Sequence, residues 1–320
     1  MFYIIGLISK NVNNRGDGNM FKNRQFFLLS LFIILFLSAC SHVTNENPED
    51  KVDDITNDNG EFCTPDGKLT FKIYNQGGFS KTTTEQIKEE TLEAYDTIIN
   101  SVETGYERPA IVNIYLFPGE GRPSSNTADI MLYNIHTNTY ELVHELTHVL
   151  LGYGGKTTAE NGRLTQEGIA VYLQNKIGNI SAPNFGIPIH EVMKYIIDTN
   201  NNLPMYKLVK PDIAHSIFIP ATNNPEDRSL YWIAYTQSSS FITYIFEKYG
   251  ADKFGNIYNH PNLNSQIQKV YGKSLEELEA DWLKYIDSNY ESVSDKKLNS
   301  YFHYFLEGIN NIDKEFFERG

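Results

Sequence analysis

Two kinds of hydrophobic pattern divide the chain into a short β-rich part and a longer helical part. Apolar and polar residues alternate over 68–74, and β-branched and aromatic residues dominate 110–117; both predict strands, with a shorter strand over 128–133. Helical spacing predicts a helix over 84–102. Beyond residue 188 the pattern is mainly helical, and a loop interrupts it near 203–228. The helices predicted in this part cover 190–199, 229–249, 265–270 and 275–288, with one or two amphipathic helices over 291–320. This order favours an α+β fold, a small sheet followed by a mainly helical subdomain.

Two further helices are predicted between the strands and the helical part. The first begins near Asn138, with Glu141 as its capping-box partner, and ends at the glycines of 152–155. The second extends from about Thr165 to Lys176 and carries Glu167 in its first turn. These two helices carry the chemistry discussed below.

The N-terminus has the pattern of an export signal. An apolar run over 26–37 follows Lys22 and Arg24 and is too short to span a bilayer comfortably. The run ends in Leu-Ser-Ala-Cys at 37–40, which resembles the lipobox of bacterial lipoproteins, with Cys40 as the lipidated residue. Residues 1–40 are therefore predicted to be a signal peptide, and Met20 is an alternative start because residues 20–40 form a complete signal. The other interpretation is an uncleaved N-terminal anchor with an incidental cysteine. Both place the protein in the cell envelope, on the extracytoplasmic face of a bacterial membrane.

The composition of residues 41–60 predicts a tether, and the net charge of the chain disfavours negatively charged partners. Residues 41–60 are polar and acidic and fit a solvated tether between the lipid anchor and a folded body. The formal charge of the 320-residue chain is -13, so nucleic acid and anionic lipid headgroups are unfavourable partners. After lipidation of Cys40 only Cys63 remains, and no internal disulfide can form.

The motif His144-Glu145-Leu146-Thr147-His148 is the strongest chemical signal. Residues four apart on a helix share one face, so the two imidazoles project together and form half of a tetrahedral Zn²⁺ site. Glu145 then lies beside the metal, where it can act as a general base. Glu167 follows His148 after eighteen residues, enough for a turn and a second helix, and supplies a third ligand that leaves one position for water. The competing arrangement needs a histidine at 154, and that residue is Gly154.

These residues resemble the gluzincin zinc metallopeptidases, especially their aminopeptidase N-like and bacterial peptidase-MA-like branches. The segments 231–250 and 272–282 extend the resemblance, which covers about 140–287. It implies a thermolysin-like catalytic domain over 61–290 with a C-terminal helical extension over 291–320. It also implies that Tyr235 donates a hydrogen bond to the developing oxyanion. Tyr231, one helical turn earlier, is the alternative for that role.

Two departures from the family pattern limit the resemblance. Aminopeptidase N-like enzymes carry a strand with an amine-binding glutamate, and the comparable region 125–134 contains no Glu. Thermolysin-like enzymes brace a ligand histidine with an Asp four residues after the glutamate ligand, and Val171 stands there. The first departure disfavours a standard aminopeptidase.

The sequence therefore predicts a membrane-anchored zinc metallopeptidase that hydrolyses peptide bonds of peptide or protein substrates. His144, His148 and Glu167 would hold the metal, and Glu145 would take a proton from its bound water. The alternative is a catalytically inactive, surface-tethered binding lipoprotein with a metallopeptidase fold. A purely structural zinc site is a third hypothesis, but it normally needs four closed ligands, and no fourth His or Cys lies nearby in sequence.

Overall fold

The computed structural model describes residues 60–152 and 163–319. The predicted signal peptide, Cys40 and all but the last residue of the predicted tether lie outside the described residues. Within them, a five-stranded mixed sheet precedes and packs against a set of helices, which confirms the α+β prediction. None of the described helices combines the length and apolar character that crossing a lipid bilayer requires.

The sheet has three parallel central strands with an antiparallel strand at each edge. Its order is β1-β2-β3-β5-β4, and the pairs β2–β3 and β3–β5 are parallel. The three predicted strands are confirmed as β2, β3 and β5, whereas the two edge strands had not been predicted. The strands are β1 (Gly60–Cys63), β2 (Thr70–Asn75), β3 (Ile111–Leu116), β4 (Ser124–Ser125) and β5 (Asp129–Leu132).

Alternation along the central strands gives the sheet one buried face. Ile73, Ile114 and Ile130 face each other across neighbouring strands, and all three are buried. The opposite face carries an aromatic row in which Tyr74 stacks on Tyr115 with ring centroids 4.7 Å apart. The buried face therefore provides the apolar surface against which helices can pack.

Most helices lie near their predicted positions. Residues 203–228 had been predicted as a loop, but they include two short helices, so that prediction was wrong. Pro211 begins the second of them, where its missing N–H costs no hydrogen bond. The helices are α1 (Lys81–Ser101), α2 (Leu142–Leu151), α3 (Arg163–Ile177), α4 (Ile189–Asp198), α5 (Met205–Val209), α6 (Pro211–Phe218), α7 (Pro225–Tyr249), α8 (Ala251–Gly255), α9 (Leu263–Tyr271), α10 (Leu275–Asn289), α11 (Asp295–Tyr301) and α12 (His303–Leu306).

Helix α7 is the central helix of the helical part. It carries an uninterrupted run of small or polar residues, 236–240, all of them fully buried. Gln237 exchanges hydrogen bonds with the backbone of Leu203 at 2.6 and 2.9 Å, which satisfies its amide inside the core. The small side chains of this run allow α3 to approach closely.

The contact between α3 and α7 is closest at Gly168. A Cβ on Gly168 would lie 2.3 Å from Ile242 Cγ1 and 2.8 Å from the carbonyl oxygen of Ser238. Only glycine fits this position without displacing a helix. The residue next to it in the sequence is Glu167, so this contact also fixes the position of a predicted metal ligand.

The C-terminal residues pack onto α7 and α10. The Trp232 ring lies against Phe302 and Phe305, with centroids 5.4 and 5.9 Å away. Arg319 pairs with the buried Glu279 at 3.0 Å. These contacts bring the aromatic residues of α12 to the same end of α7 as Tyr231 and Tyr235.

Candidate metal centre

Helix α2, which carries the two histidines, is buried along its whole length. It begins at Leu142, so the prediction of a start near Asn138 with a capping box was wrong. Asn138 instead ends a short 3-10 turn in the left-handed region, at φ 55°, and the side chain of Glu141 caps nothing. The backbone N–H of His144 donates to Gln174 Oε1 of α3 at 3.0 Å, which replaces a local cap.

The C-terminal end of α2 is the predicted one. Gly152 adopts a left-handed conformation at φ 99°, and its N–H donates to the carbonyl oxygen of His148 at 3.1 Å. This bond closes the turn that carries His148, so the second histidine lies at a defined helix end.

Helix α3 already includes Arg163, so Glu167 lies beyond the first turn, contrary to the prediction. Arg163 precedes Glu167 by one helical turn, and its Nη1 lies 3.8 Å from Glu167 Oε1. Both side chains are buried, so the arginine compensates charge on one oxygen of the carboxylate and leaves Oε2 directed at the histidines.

Three ligand atoms converge at one point. The Nε2 atoms of His144 and His148 lie 3.0 Å apart, and Glu167 Oε2 lies 3.3 and 3.2 Å from them. Metal–ligand bonds of zinc length in tetrahedral geometry would separate neighbouring ligand atoms by about 3.4 Å. The residues therefore fit a tetrahedral cation, and among the described residues no other cluster of His, Cys, Asp and Glu has this convergence.

The charges around this cluster favour a cation. Burial lowers the pKa of His144, but the hydrogen bond to Glu167 and the charges of Glu145 and Glu141 outweigh it and raise the pKa to about 9. Burial raises the pKa of Glu167, but the two histidines hold it well below the ordinary value. A proton on the His144 imidazole would therefore balance the Glu167 carboxylate, and binding of a metal would displace that proton.

Glu145 lies between the cluster and the edge of the sheet. Ser125 of β4 donates a hydrogen bond to Glu145 Oε2 at 2.6 Å, and Glu145 is buried. Edge strand β4 therefore fixes one carboxylate oxygen of the predicted base. The sequence shows that this region lacks a glutamate, but it gives no signal for the contact between Ser125 and Glu145.

Tyr235 lies next to the histidines. Its ring is nearly parallel to that of His144, with centroids 6.2 Å apart and an interplanar angle of 19°. Tyr231 lies behind it, with ring centroids 4.0 Å apart and the ring planes tilted by 39°. The structure thus brings both tyrosines to the site, and Tyr235 is the one whose ring packs beside a predicted ligand histidine.

Arg122 completes the site and was not found from the sequence. It belongs to the loop before β4, its guanidinium lies over the Tyr231 ring at 4.2 Å, and it forms a hydrogen bond with Tyr235. Burial lowers the pKa of Arg122, but the two tyrosines and Glu167 outweigh it and hold it above the ordinary value. No local pattern around residue 122 links it to residues 231–235.

A cleft of about 830 Å³ adjoins the metal centre. Arg122, Glu141 and Tyr231 line it, together with Tyr304 and Phe305 of α12. A smaller cavity of about 20 Å³ lies between His144, Tyr235 and the same Phe305. The shared lining residues connect the cleft to the predicted ligands.

Val171 lies on α3, four residues after Glu167. It is buried and lines the smaller cavity beside His144, so it contributes packing and no hydrogen bond. Gln174 and Arg163 are the polar residues that support α2 and Glu167. Their spacing from Glu167 on α3, seven residues after and four before, is the signal by which they could have been found.

Comparison with protein-family models found no match, and no curated protein is significantly similar to this chain. The residues of the site and their geometry are therefore the basis for inferring a function.

Proposed function

We propose that this protein is a zinc-dependent peptidase with a thermolysin-like gluzincin catalytic domain. The convergence of His144 Nε2, His148 Nε2 and Glu167 Oε2, with Glu145 beside them, is the observation that carries the proposal. The donor set, two imidazoles and one carboxylate, suits zinc and leaves a coordination position open. A bound zinc ion would lower the pKa of a coordinated water and polarise a carbonyl oxygen.

The side chains of the site would handle protons and charge. Ser125 fixes Glu145 Oε2, so the other carboxylate oxygen accepts a proton from the attacking water and passes it to the leaving nitrogen. Negative charge then develops on the carbonyl oxygen of the scissile bond, and the Tyr235 hydroxyl donates a hydrogen bond to it. Each step needs only a side chain that the fold holds near the cluster.

The peptide nature of the substrate is supported by the sheet edge. Strand β4 is the outermost strand, and its Ser125 contacts the predicted base. An extended peptide can pair with such an edge and so place its backbone carbonyl near Glu145. Strands β4 and β5 contain no glutamate to bind a free amine, which argues against N-terminal trimming.

The decisive test combines metal content with peptide hydrolysis in Glu145→Gln. The variant is expected to retain one zinc per chain, because its ligands are intact, and to lose at least about 10³-fold in kcat, because the base is gone. Glu276→Gln, on the exposed first turn of α10, is the matched control and should leave both quantities unchanged.

Two outcomes would change the conclusion. Normal turnover by Glu145→Gln would refute the mechanism. Stoichiometric zinc without hydrolysis of any peptide by the wild type would favour the inactive binding lipoprotein instead.

We further propose that Cys40 carries a lipid that anchors the protein to the extracytoplasmic face of a bacterial membrane. The chain has two cysteines, and the other, Cys63, is exposed in β1, which makes it a matched control. Metabolic labelling with an alkyne fatty acid should label the wild type and Cys63→Ser and fail to label Cys40→Ser. Equal labelling of all three would contradict the anchor.

A further inference from the structure

The cleft beside the candidate metal centre is lined by two arginines, Arg122 and Arg228. Each guanidinium lies over a tyrosine ring, but only Arg228 forms an ion pair with another described residue. The guanidinium of Arg228 lies over the Tyr304 ring at 4.2 Å, and that of Arg122 lies over the Tyr231 ring at the same distance. Arg228 also pairs with Glu307 at 2.9 Å and donates to the carbonyl oxygen of Asn223 at 2.7 Å. Among the ion pairs formed between described residues, none involves Arg122.

The donors of Arg122 are therefore available to a ligand. A guanidinium has five N–H donors in a planar fork that matches a carboxylate. The Tyr231 ring covers one face of the group, and Tyr235 uses a hydrogen bond at its edge. The side chain of Arg122 is exposed to the cleft, so the rest of its edge is accessible there.

The loop that presents Arg122 is held rigidly. The Asn134 side chain donates to the carbonyl oxygen of Gly121 at 2.9 Å and accepts from its N–H at 3.3 Å. A Cβ on Gly121 would lie 2.5 Å from the Tyr133 ring, so the loop packs directly against the aromatic row of the sheet. A preorganised donor group binds its ligand without an ordering cost.

Arg122 also lies at the end of the cleft that is nearest to the candidate metal centre. It forms a hydrogen bond with Tyr235, and the Tyr235 ring packs beside His144. The other charged residues that line the cleft include two acids, Glu120 and Glu141, so an anionic group on a ligand is favoured only where it meets Arg122.

We propose that Arg122 is a carboxylate-binding site that selects peptides with a carboxylate close to the scissile bond. The carboxylate belongs either to an acidic side chain or to the C-terminus of the peptide. This inference rests on the proposed peptidase function and adds a substrate class to it.

The test measures the affinity of peptides for the zinc-loaded Glu145→Gln protein by fluorescence anisotropy. Three pools of labelled, N-acetylated nonapeptides share one composition apart from their carboxylates. The first contains Glu at varied positions and an amidated C-terminus, the second contains no acidic residue and a free C-terminus, and the third contains neither carboxylate. One of the first two pools should bind about tenfold more tightly than the third, the usual gain of a charge-assisted bidentate pair.

The preference should depend on Arg122 alone. Adding Arg122→Gln should reduce it below twofold, Arg122→Lys should keep part of it, and Arg228→Gln should keep all of it, because Arg228 is already paired with Glu307. Zinc content and melting temperature, measured on each variant, show that the site is intact. Equal affinities for the three pools, or an unchanged preference in Arg122→Gln, would overturn the proposal.

Hydrolysis of the same pools by the wild type separates this proposal from the proposed function. Hydrolysis of all three pools at equal rates overturns the carboxylate site and leaves the peptidase in place. Hydrolysis of none overturns the peptidase, and the carboxylate site with it.

Discussion

At the scale of single residues, His190 shows how burial alone sets a protonation state. It is buried on α4, its Nδ1 lies 2.8 Å from Ser240 Oγ, and the rings of Tyr285 and Tyr290 pack on it. Glu247 Oε2 lies 3.8 Å from Nε2 but is half exposed, so solvent screens it. Burial therefore dominates and lowers the pKa of His190 to about 4.

This pKa predicts a loss of stability in mild acid. The unfolded chain binds a proton near the ordinary histidine pKa of about 6.5, whereas the folded protein resists it until about pH 4, so stability falls as the pH falls through this window. Between pH 7.5 and 5 the wild type should lose about 2 kcal/mol more than His190→Asn, measured by urea unfolding at each pH. The exposed His215→Asn is the control and should follow the wild type. Parallel pH profiles for wild type and His190→Asn would contradict the prediction.

At the scale of elements, the candidate metal centre depends on how closely two helices approach. Helix α3 contacts α7 at Gly168, where a side chain would meet the backbone of Ser238 as well as Ile242. Backbone atoms of a buried helix cannot move aside as a flexible side chain can. The separation of α3 from α7 therefore controls where Glu167 lies relative to the histidines of α2.

Gly168→Ala should consequently damage both stability and metal binding. We expect a loss of about 1–3 kcal/mol in the free energy of unfolding and about tenfold or more in zinc affinity, because α3 must shift away from α7. Chemical unfolding and competition with a chromogenic chelator measure the two quantities. Gly60→Ala is the control, since a Cβ there meets no atom within 4 Å. Unchanged zinc affinity in Gly168→Ala would show that the site tolerates movement of α3.

At the scale of the whole molecule, local sequence patterns account for the three central strands, most helices and the cluster at His144, His148 and Glu167. Strand periodicity and the spacing of a motif on one helix are properties of short segments, and a sequence displays them directly. What the sequence did not reveal depends on distant partners. The cap of α2 comes from Gln174 at 3.0 Å, thirty residues after His144, so the capping-box pattern at Asn138 and Glu141 predicted the wrong helix start.

Two further differences from the prediction have identifiable causes. Helices of five and eight residues within 203–228 are too short for a helical period to be recognised. Arg122 reaches the site only because the fold brings the loop before β4 to the start of α7. Neither a turn pattern nor a charge pattern at residue 122 contains that information.

The placement of Phe305 has a consequence for the order in which the site is built during translation. The three converging side chains are all synthesised by residue 167, whereas Phe305, which lines the small cavity beside His144, is synthesised 138 residues later. A nascent chain thus contains the predicted metal ligands long before it contains the residue that closes the cavity beside them.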